Sequence, residues 1–329
     1  MFTDNDRQIT GIQAIQEALA EEMRRDPNVV VFGEGIGERG GCFGQTKGLW
    51  NECGPERLID TPISELAFTG MGIGASMAGL RPVIDLMYIE FMMDAAGQVV
   101  HQAAKVRYMS GGQFHCPLVL VAAIGRYNNA GPHHSGCYYP MFMHVPGLIV
   151  VVPSSARDLK GLLKSSIRSD DPVLFLEHKS LFSKKMAVPE GEFLTPLGQA
   201  NVCRVGTDAS IVAIGQMVEY SLAAATSLAK NGIEVEVIDP RTLVPLDEET
   251  VVRSVQKTRR LLVIDEAHET CNAAAEIATR VIEKAFDYLD APIVRLSGAK
   301  VHVPYAPPME QFVAPSPERI EQTVKELVA

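Results

Sequence analysis

Ile12, Ile15 and Leu19, with Met23 one turn on, are spaced as the buried stripe of a helix, and Asp26-Pro27 predicts where that helix stops. Residues 29–32 are apolar throughout and read as a buried strand closed by Gly33. Further apolar runs at 82–88, 117–124, 148–152 and 173–176 alternate with helical stretches at 91–108 and 156–168. Short β-branched runs separated by helices predict a parallel sheet covered on both faces. The rhythm lapses at 184–198, where Pro189, Gly191, Pro196 and Gly198 lie among charges, and a linker is expected there. It restarts with strands expected at 209–214, 234–238, 261–265 and 292–296, and helices at 217–230, 247–257, 273–286 and 317–328. Glu248 and Glu249 after Asp247 put acids in a first turn, as the helix dipole favours. The pattern predicts an α/β protein of two domains, residues 1–183 and 199–329, joined by 184–198, each a mostly parallel sheet covered by helices.

Composition supports two cores: the chain has 329 residues and is 47% hydrophobic. A formal charge of −10, with no basic run longer than the cluster of Lys179, Lys184 and Lys185, argues against a nucleic-acid partner. Cys42, Cys53, Cys116, Cys137, Cys203 and Cys271 are scattered without a CxxC, so neither a zinc site nor a redox pair is predicted. Free thiols and 13 methionines suit a reducing compartment. Residues 1–7 are polar and carry no signal core or transit pattern, and no apolar run reaches membrane-spanning length. The expectation is a cytoplasmic protein without a membrane partner, or a matured matrix form.

Candidate chemistry lies in five stretches. Gly35-Ile36-Gly37-Glu38-Arg39-Gly40 spells GxGxxG after a strand, but a dinucleotide site needs a helix opening at those glycines. Gly41-Cys42-Phe43-Gly44 instead continues a loop, so a turn or a site-lining loop is expected. In Asp60-Thr61-Pro62-Ile63-Ser64-Glu65, Ser64 is a candidate N-cap with Glu65 in the first turn. The small residues that follow (Gly70, Gly72, Gly74, Ala75, Ser76, Ala78, Gly79) predict close approach of another backbone across a domain or subunit boundary. Spacing alone makes Glu65 an ordinary helix-start carboxylate. His133-His134-Ser135 sits in a loop, 126–147, between two strands, where a solvated histidine and a ligand-facing one are both open readings. Cys137 nearby lacks a recognisable orienting acid. Tyr88-Ile89-Glu90-Phe91 joins a strand to a helix, and its aromatics suit either a core or a planar heterocycle. Asn128-Asn129 has no Gly-Asp-Gly upstream and is read as a polar loop, not a magnesium site.

Taken in order, Phe32-Gly33-Glu34, Gly54-Pro55-Glu56-Arg57, the 60–65 string, Gly79-Leu80-Arg81-Pro82, QAAKVRYMSGG at 102–112, His134-Ser135, Val145-Pro146-Gly147-Leu148 and Asp170-Asp171-Pro172 resemble the β subunit of the thiamine-diphosphate-dependent decarboxylating component of 2-oxoacid dehydrogenase complexes. The likeness is to pyruvate, acetoin and branched-chain members, and Asp239-Pro240-Arg241-Thr242-Leu243 carries it into the second domain. The resemblance implies a transketolase-like pyrimidine-binding domain followed by a transketolase C-terminal-like domain. It implies that Glu65 hydrogen-bonds the aminopyrimidine ring nitrogen and so promotes loss of the thiazolium proton. An apolar setting from Leu66, Ala67 and Phe68 would raise the pKa of that carboxyl. Glu34, Ile63, Met87 and Phe91 would surround the aminopyrimidine, and His134 would face substrate or the incoming lipoyl group. The diphosphate and Mg²⁺ would sit on an α subunit in an α₂β₂ heterotetramer, and a dihydrolipoyl acyltransferase would receive the acyl group. Leu118, Ser166, Ile167, Ser169 and Asp171 match positions that hold a potassium ion in some members. The stretch 126–143 departs from the family's glycine-rich loop, with His133 in place of a glutamine, which puts the accepted acyl group in doubt. A β-type subunit of a split transketolase-like enzyme, moving two-carbon ketol units, is the alternative.

Overall fold

The computed structural model describes residues 7–329. The leaderless N-terminus expected above falls almost wholly on residues 1–6, outside the described residues. Two compact units form: residues 7–124 with 141–197, and 125–140 with 198–329.

The first unit contains β1 (Arg7–Thr10), α1 (Gly11–Arg25), β2 (Val29–Gly33), α2 (Leu49–Cys53), β3 (Leu58–Asp60), α3 (Glu65–Met77), β4 (Arg81–Tyr88), α4 (Val106–Met109) and β5 (Val119–Ile124). After α5 (Tyr139–Met143) come β6 (Ile149–Val151), α6 (Ala156–Ile167), β7 (Val173–His178) and β8 (Lys185–Val188). The strands of its main sheet run β6-β7-β5-β4-β2-β3, all parallel. Val31, Val83, Val119 and Val173 stand in one row across it. Burial on both faces is why these strands read as unbroken apolar runs.

Thr10 and Gln13 form a reciprocal capping box at the start of α1. At its far end the Arg57 guanidinium donates to the carbonyls of Met23, Asp26 and Val29, fastening α1 to β2. β8 pairs antiparallel with β1, so part of the stretch expected to link the domains carries ladder hydrogen bonds. The single helix expected at 91–108 is divided into a 3₁₀ turn at Phe91–Met93, a π-helical Gln98–Ala103 and α4. Gly97 and the β-branched pair Val99-Val100 lower helix propensity there.

The second unit contains β9 (Asn201–Arg204), β10 (Ala209–Ala213), α7 (Met217–Ala229), β11 (Val235–Asp239), β12 (Thr242–Val244), α8 (Glu248–Thr258), β13 (Leu261–His268), α9 (Ala273–Ala285), β14 (Val294–Gly298), α10 (Pro307–Phe312) and α11 (Pro317–Val328). Its 5-stranded sheet runs β14-β13-β10-β11-β9, parallel except for β9. Asp247 caps α8 through the Thr250 amide, 3.1 Å away. Ile320, Val324 and Leu327 of α11 close the core over α7 and the sheet.

Candidate active site

Parallel sheets gather ligands at the carboxyl ends of their strands, and the first unit places most of the expected residues there. Glu34 follows the last residue of β2, Met87 lies at the end of β4, and Glu65 opens α3. Ser64 occupies the N-cap position without capping; its hydroxyl donates to the Pro62 carbonyl at 3.2 Å instead. Burial raises the Glu34 carboxyl above the usual range, and the nearby negative charge of Glu65 adds to it, against a lowering hydrogen bond from the Ser64 backbone. The second oxygen of Glu34, Oε1, is buried without a hydrogen-bond partner. Glu65 is half-buried, and Ile63 beside it is 84% exposed.

The GxGxxG stretch turns around a carboxylate of its own chain. Gly35 N–H donates to Asp60 Oδ1 at 2.7 Å and Gly37 N–H to Oδ2 at 3.3 Å. The anion that a dinucleotide would bring is thus supplied by Asp60, and no helix opens at these glycines.

Met87 adopts a left-handed backbone (φ 62°), rare for a side chain of its kind. The Asp85 carboxylate holds that turn by accepting the Met87 amide at 2.8 Å, and the pairing of β4 with β5 shifts register there. Gln45 Nε2 donates to the other Asp85 oxygen at 2.5 Å. Burial raises the Asp85 pKa, with those two hydrogen bonds opposing it. Glu177, on β7, is pushed well above the carboxylate range by burial, and Asp85 adds to the shift. Phe91 packs edge-on against Tyr88 with centroids 5.8 Å apart, and the Lys179 ammonium lies 5.5 Å from the Tyr88 ring. Sequence reasoning missed Gln45, Asp85 and Glu177. For the two acids the available signal was a charge inside runs otherwise apolar on both faces, Val83-Ile84-Asp85-Leu86 and Phe175-Leu176-Glu177, whereas Gln45, in the glycine-rich loop, carried none.

His134 lies in the second unit, at the end of a 3₁₀ turn, Pro132–His134. His133 is exposed and His134 half-buried, so the adjacent histidines do not share an environment. The Ser135 hydroxyl is buried without a hydrogen-bond partner and borders a cavity of about 30 Å³ that Cys137, Glu266 and His268 also line. His268 Nδ1 is 2.7 Å from the Ala299 carbonyl, so Nδ1 carries the proton and donates.

The remaining candidates cluster in the first unit around the end of α6. Arg81 donates to the carbonyls of Ile167 at 3.1 Å and Ser169 at 2.9 Å, and to Asp170 Oδ1 at 2.7 Å. Ser169 Oγ donates to the Asp171 carbonyl at 3.1 Å, Ser166 Oγ to Leu162, and the Val173 amide to the Leu118 carbonyl at 2.9 Å. Among the described residues no group of three or more His, Cys, Asp or Glu side chains could hold a metal ion, and no helix is long and apolar enough to cross a membrane.

Residues 7–185 match the family described as transketolase, pyrimidine binding domain, and 198–320 match transketolase, C-terminal domain. The pyruvate dehydrogenase E1 component subunit beta of Rhizobium meliloti (strain 1021) is 43% identical over 314 residues, 95% of this chain and 68% of that protein. The beta subunit of the acetoin:2,6-dichlorophenolindophenol oxidoreductase of Cupriavidus necator is 46% identical over 317 residues, 93% of this chain and 94% of that protein. A solved split gene transketolase, described as an inactive beta4 tetramer, has the same fold at a TM-score of 0.80, covering 98% of this chain and 99% of its own, with 20% identity.

Proposed function

Since the chain belongs to the β subunits of thiamine-diphosphate-dependent 2-oxoacid dehydrogenases of pyruvate and acetoin type, with a transketolase-like fold, we propose that it supplies the cofactor-activating carboxylate, Glu65, to a site completed by an α subunit. Bound thiamine diphosphate supplies an electron sink for decarboxylation of a 2-oxoacid. Glu65 would hydrogen-bond the aminopyrimidine ring nitrogen and exchange a proton with it. Ile63, Met87 and Phe91 form apolar walls, and Glu34 stands beside Glu65. His134 meets the substrate or the lipoyl group as proton donor. The observation that carries this reading is the orphaned, buried Oε1 of Glu34 beside the half-buried Glu65 at the strand ends. A buried carboxyl oxygen without a partner, at the carboxyl ends of a parallel sheet, is where a ligand group could complete the hydrogen bonding.

The α subunit would hold the diphosphate and Mg²⁺, in an α₂β₂ heterotetramer that passes acyl groups to a dihydrolipoyl acyltransferase in the cytoplasm. The outer face of α3 suits that α subunit: Leu66, Ala67, Met71, Gly74 and Ala78 are exposed. The oxygens of Leu118, Ser166, Ile167, Ser169 and Asp171 would take a potassium ion.

The experiment is co-expression with an α-type chain and an assay of dye reduction with thiamine diphosphate on pyruvate, branched 2-oxoacids and acetoin. Glu65→Gln should lower turnover by roughly 10²–10⁴-fold, the usual worth of a general acid–base, with assembly intact. Full activity in that variant removes Glu65 from the mechanism. Ketol transfer between sugars without 2-oxoacid oxidation would instead establish the split-transketolase reading.

A further inference from the structure

The 125–140 loop is clamped to the second unit at several points. Its neck closes through Gly125 N–H donating to the Gly136 carbonyl at 3.1 Å. Just inside the neck, the Arg126 amide donates to Glu266 Oε1 at 2.9 Å, and the guanidinium of the same residue lies 3.5 Å from that oxygen. Asn128 and Asn129 are consecutive left-handed residues (φ 57° and 56°), and the Asn129 amide donates to Glu310 Oε1 at 3.1 Å. Gly131 (φ 70°) lies so close to the Tyr305 ring that a Cβ would overlap ring atoms. At the far end the Tyr139 hydroxyl donates to the buried Asp265 carboxylate, which also accepts the Ala267 amide at 2.9 Å.

Glu310 is the telling member. It sits on α10, a short surface helix whose Met309 and Phe312 are exposed, yet Glu310 itself is 7% exposed. A buried carboxylate facing a backbone amide, rather than a cation, holds a conformation.

We propose that Glu310, Glu266 and the Tyr139–Asp265 pair are positioning residues that set the 126–138 loop and thereby the placement of His134. This rests on the substrate-facing role assigned to His134 above. The two consecutive left-handed asparagines are held by their surroundings, and Glu310 contributes by accepting the Asn129 amide. Misplacing a proton donor by about 1 Å costs on the order of 100-fold in rate.

The test uses the chain assembled with its α-type partner. Glu310→Ala and Tyr139→Phe should each lower kcat/KM for the 2-oxoacid by about 10- to 100-fold, while the thiamine diphosphate concentration for half-saturation stays unchanged. Glu310→Gln keeps an acceptor oxygen and should recover most of the loss. In a His134→Ala background the same substitutions should cost nothing further, because groups acting through one residue are non-additive. Equal losses in both backgrounds, or no loss in either, would overturn the proposal. Hydrogen exchange at the Asn129 amide gives an answer independent of activity: faster exchange in Glu310→Ala supports it, unchanged exchange overturns it. If the wild-type assembly oxidises no 2-oxoacid, the functional reading fails while the exchange measurement still decides whether Glu310 sets the loop.

Discussion

Glu177 shows how burial changes the chemistry of a single side chain. Burial pushes its carboxyl well above the usual range, the negative Asp85 adds to the shift, and Oε1 has no hydrogen-bond partner. A carboxyl with a raised folded pKa favours the protonated form. Its contribution to stability is therefore full below the unfolded value and is lost as pH rises through the folded one. Glu177→Gln keeps the shape and removes the titration. The variant should match the wild type near pH ~4 and gain on it toward pH ~8, by about 1–3 kcal/mol, the cost of a buried unsatisfied polar group. Thermal denaturation across that range checks it; a gap that stays constant with pH would show that Glu177 does not titrate with folding. Glu65 was readable as a helix-start carboxylate from its spacing, whereas its place beside Glu34 followed only from the family resemblance, because the two meet through the pairing of β2 with β3 and the turn into α3.

Among the elements, α1 and α6 show what periodicity conveys and what it leaves out. Apolar spacing located both helices, since burial of one face writes itself into the sequence. It did not reveal that Lys160 and Lys164 of α6 are each 1% exposed and paired with α1. Lys160 Nζ lies 3.0 Å from Glu17 and 2.6 Å from Glu21, and Lys164 Nζ lies 2.6 Å from Glu21. Lys160→Ala should destabilise the chain by about 1–3 kcal/mol in urea denaturation. That is less than the full loss of a buried pair because the glutamates reach solvent. The turn after α6 carries its own test: if it takes potassium, the melting temperature should be higher in KCl than in NaCl of equal ionic strength, by mass action. Coincident curves would remove the ion from the fold. In α3, Gly72 is explained within the unit, since a Cβ there would meet Ile84 Cδ1 at 2.5 Å, whereas Gly74 has nothing within 4 Å. The small residues of this helix thus serve two surfaces, and only one of them is filled by the chain itself.

At the scale of the whole molecule, the exposed face of α3 should decide assembly. Leu66 is 53% exposed. Leu66→Asp should abolish co-purification with an α-type chain, read by size-exclusion chromatography, and change the stability of the isolated chain by no more than about 0.5 kcal/mol, as for other surface substitutions. Retained co-purification would move the α contact elsewhere. The division of the helix expected at 91–108 and the short strands β1, β3, β8, β9 and β12 escaped the sequence pattern, but most of the strand–helix alternation, the presence of two α/β units and the helix opening at Glu65 were legible in it. These depend on neighbours along the chain, whose burial imposes a period of 2 or 3.6. Tertiary structure alone decided that residues 125–140 join the second unit, that Asp60 fills the glycine loop, and that Asp85 and Glu177 share a buried environment. Asn129 and Glu310 are 181 residues apart in the chain, and Gln45 and Asp85 are 40 apart. No local period records such pairs, because a carboxylate's partners and proton affinity are set by groups that only folding brings near it.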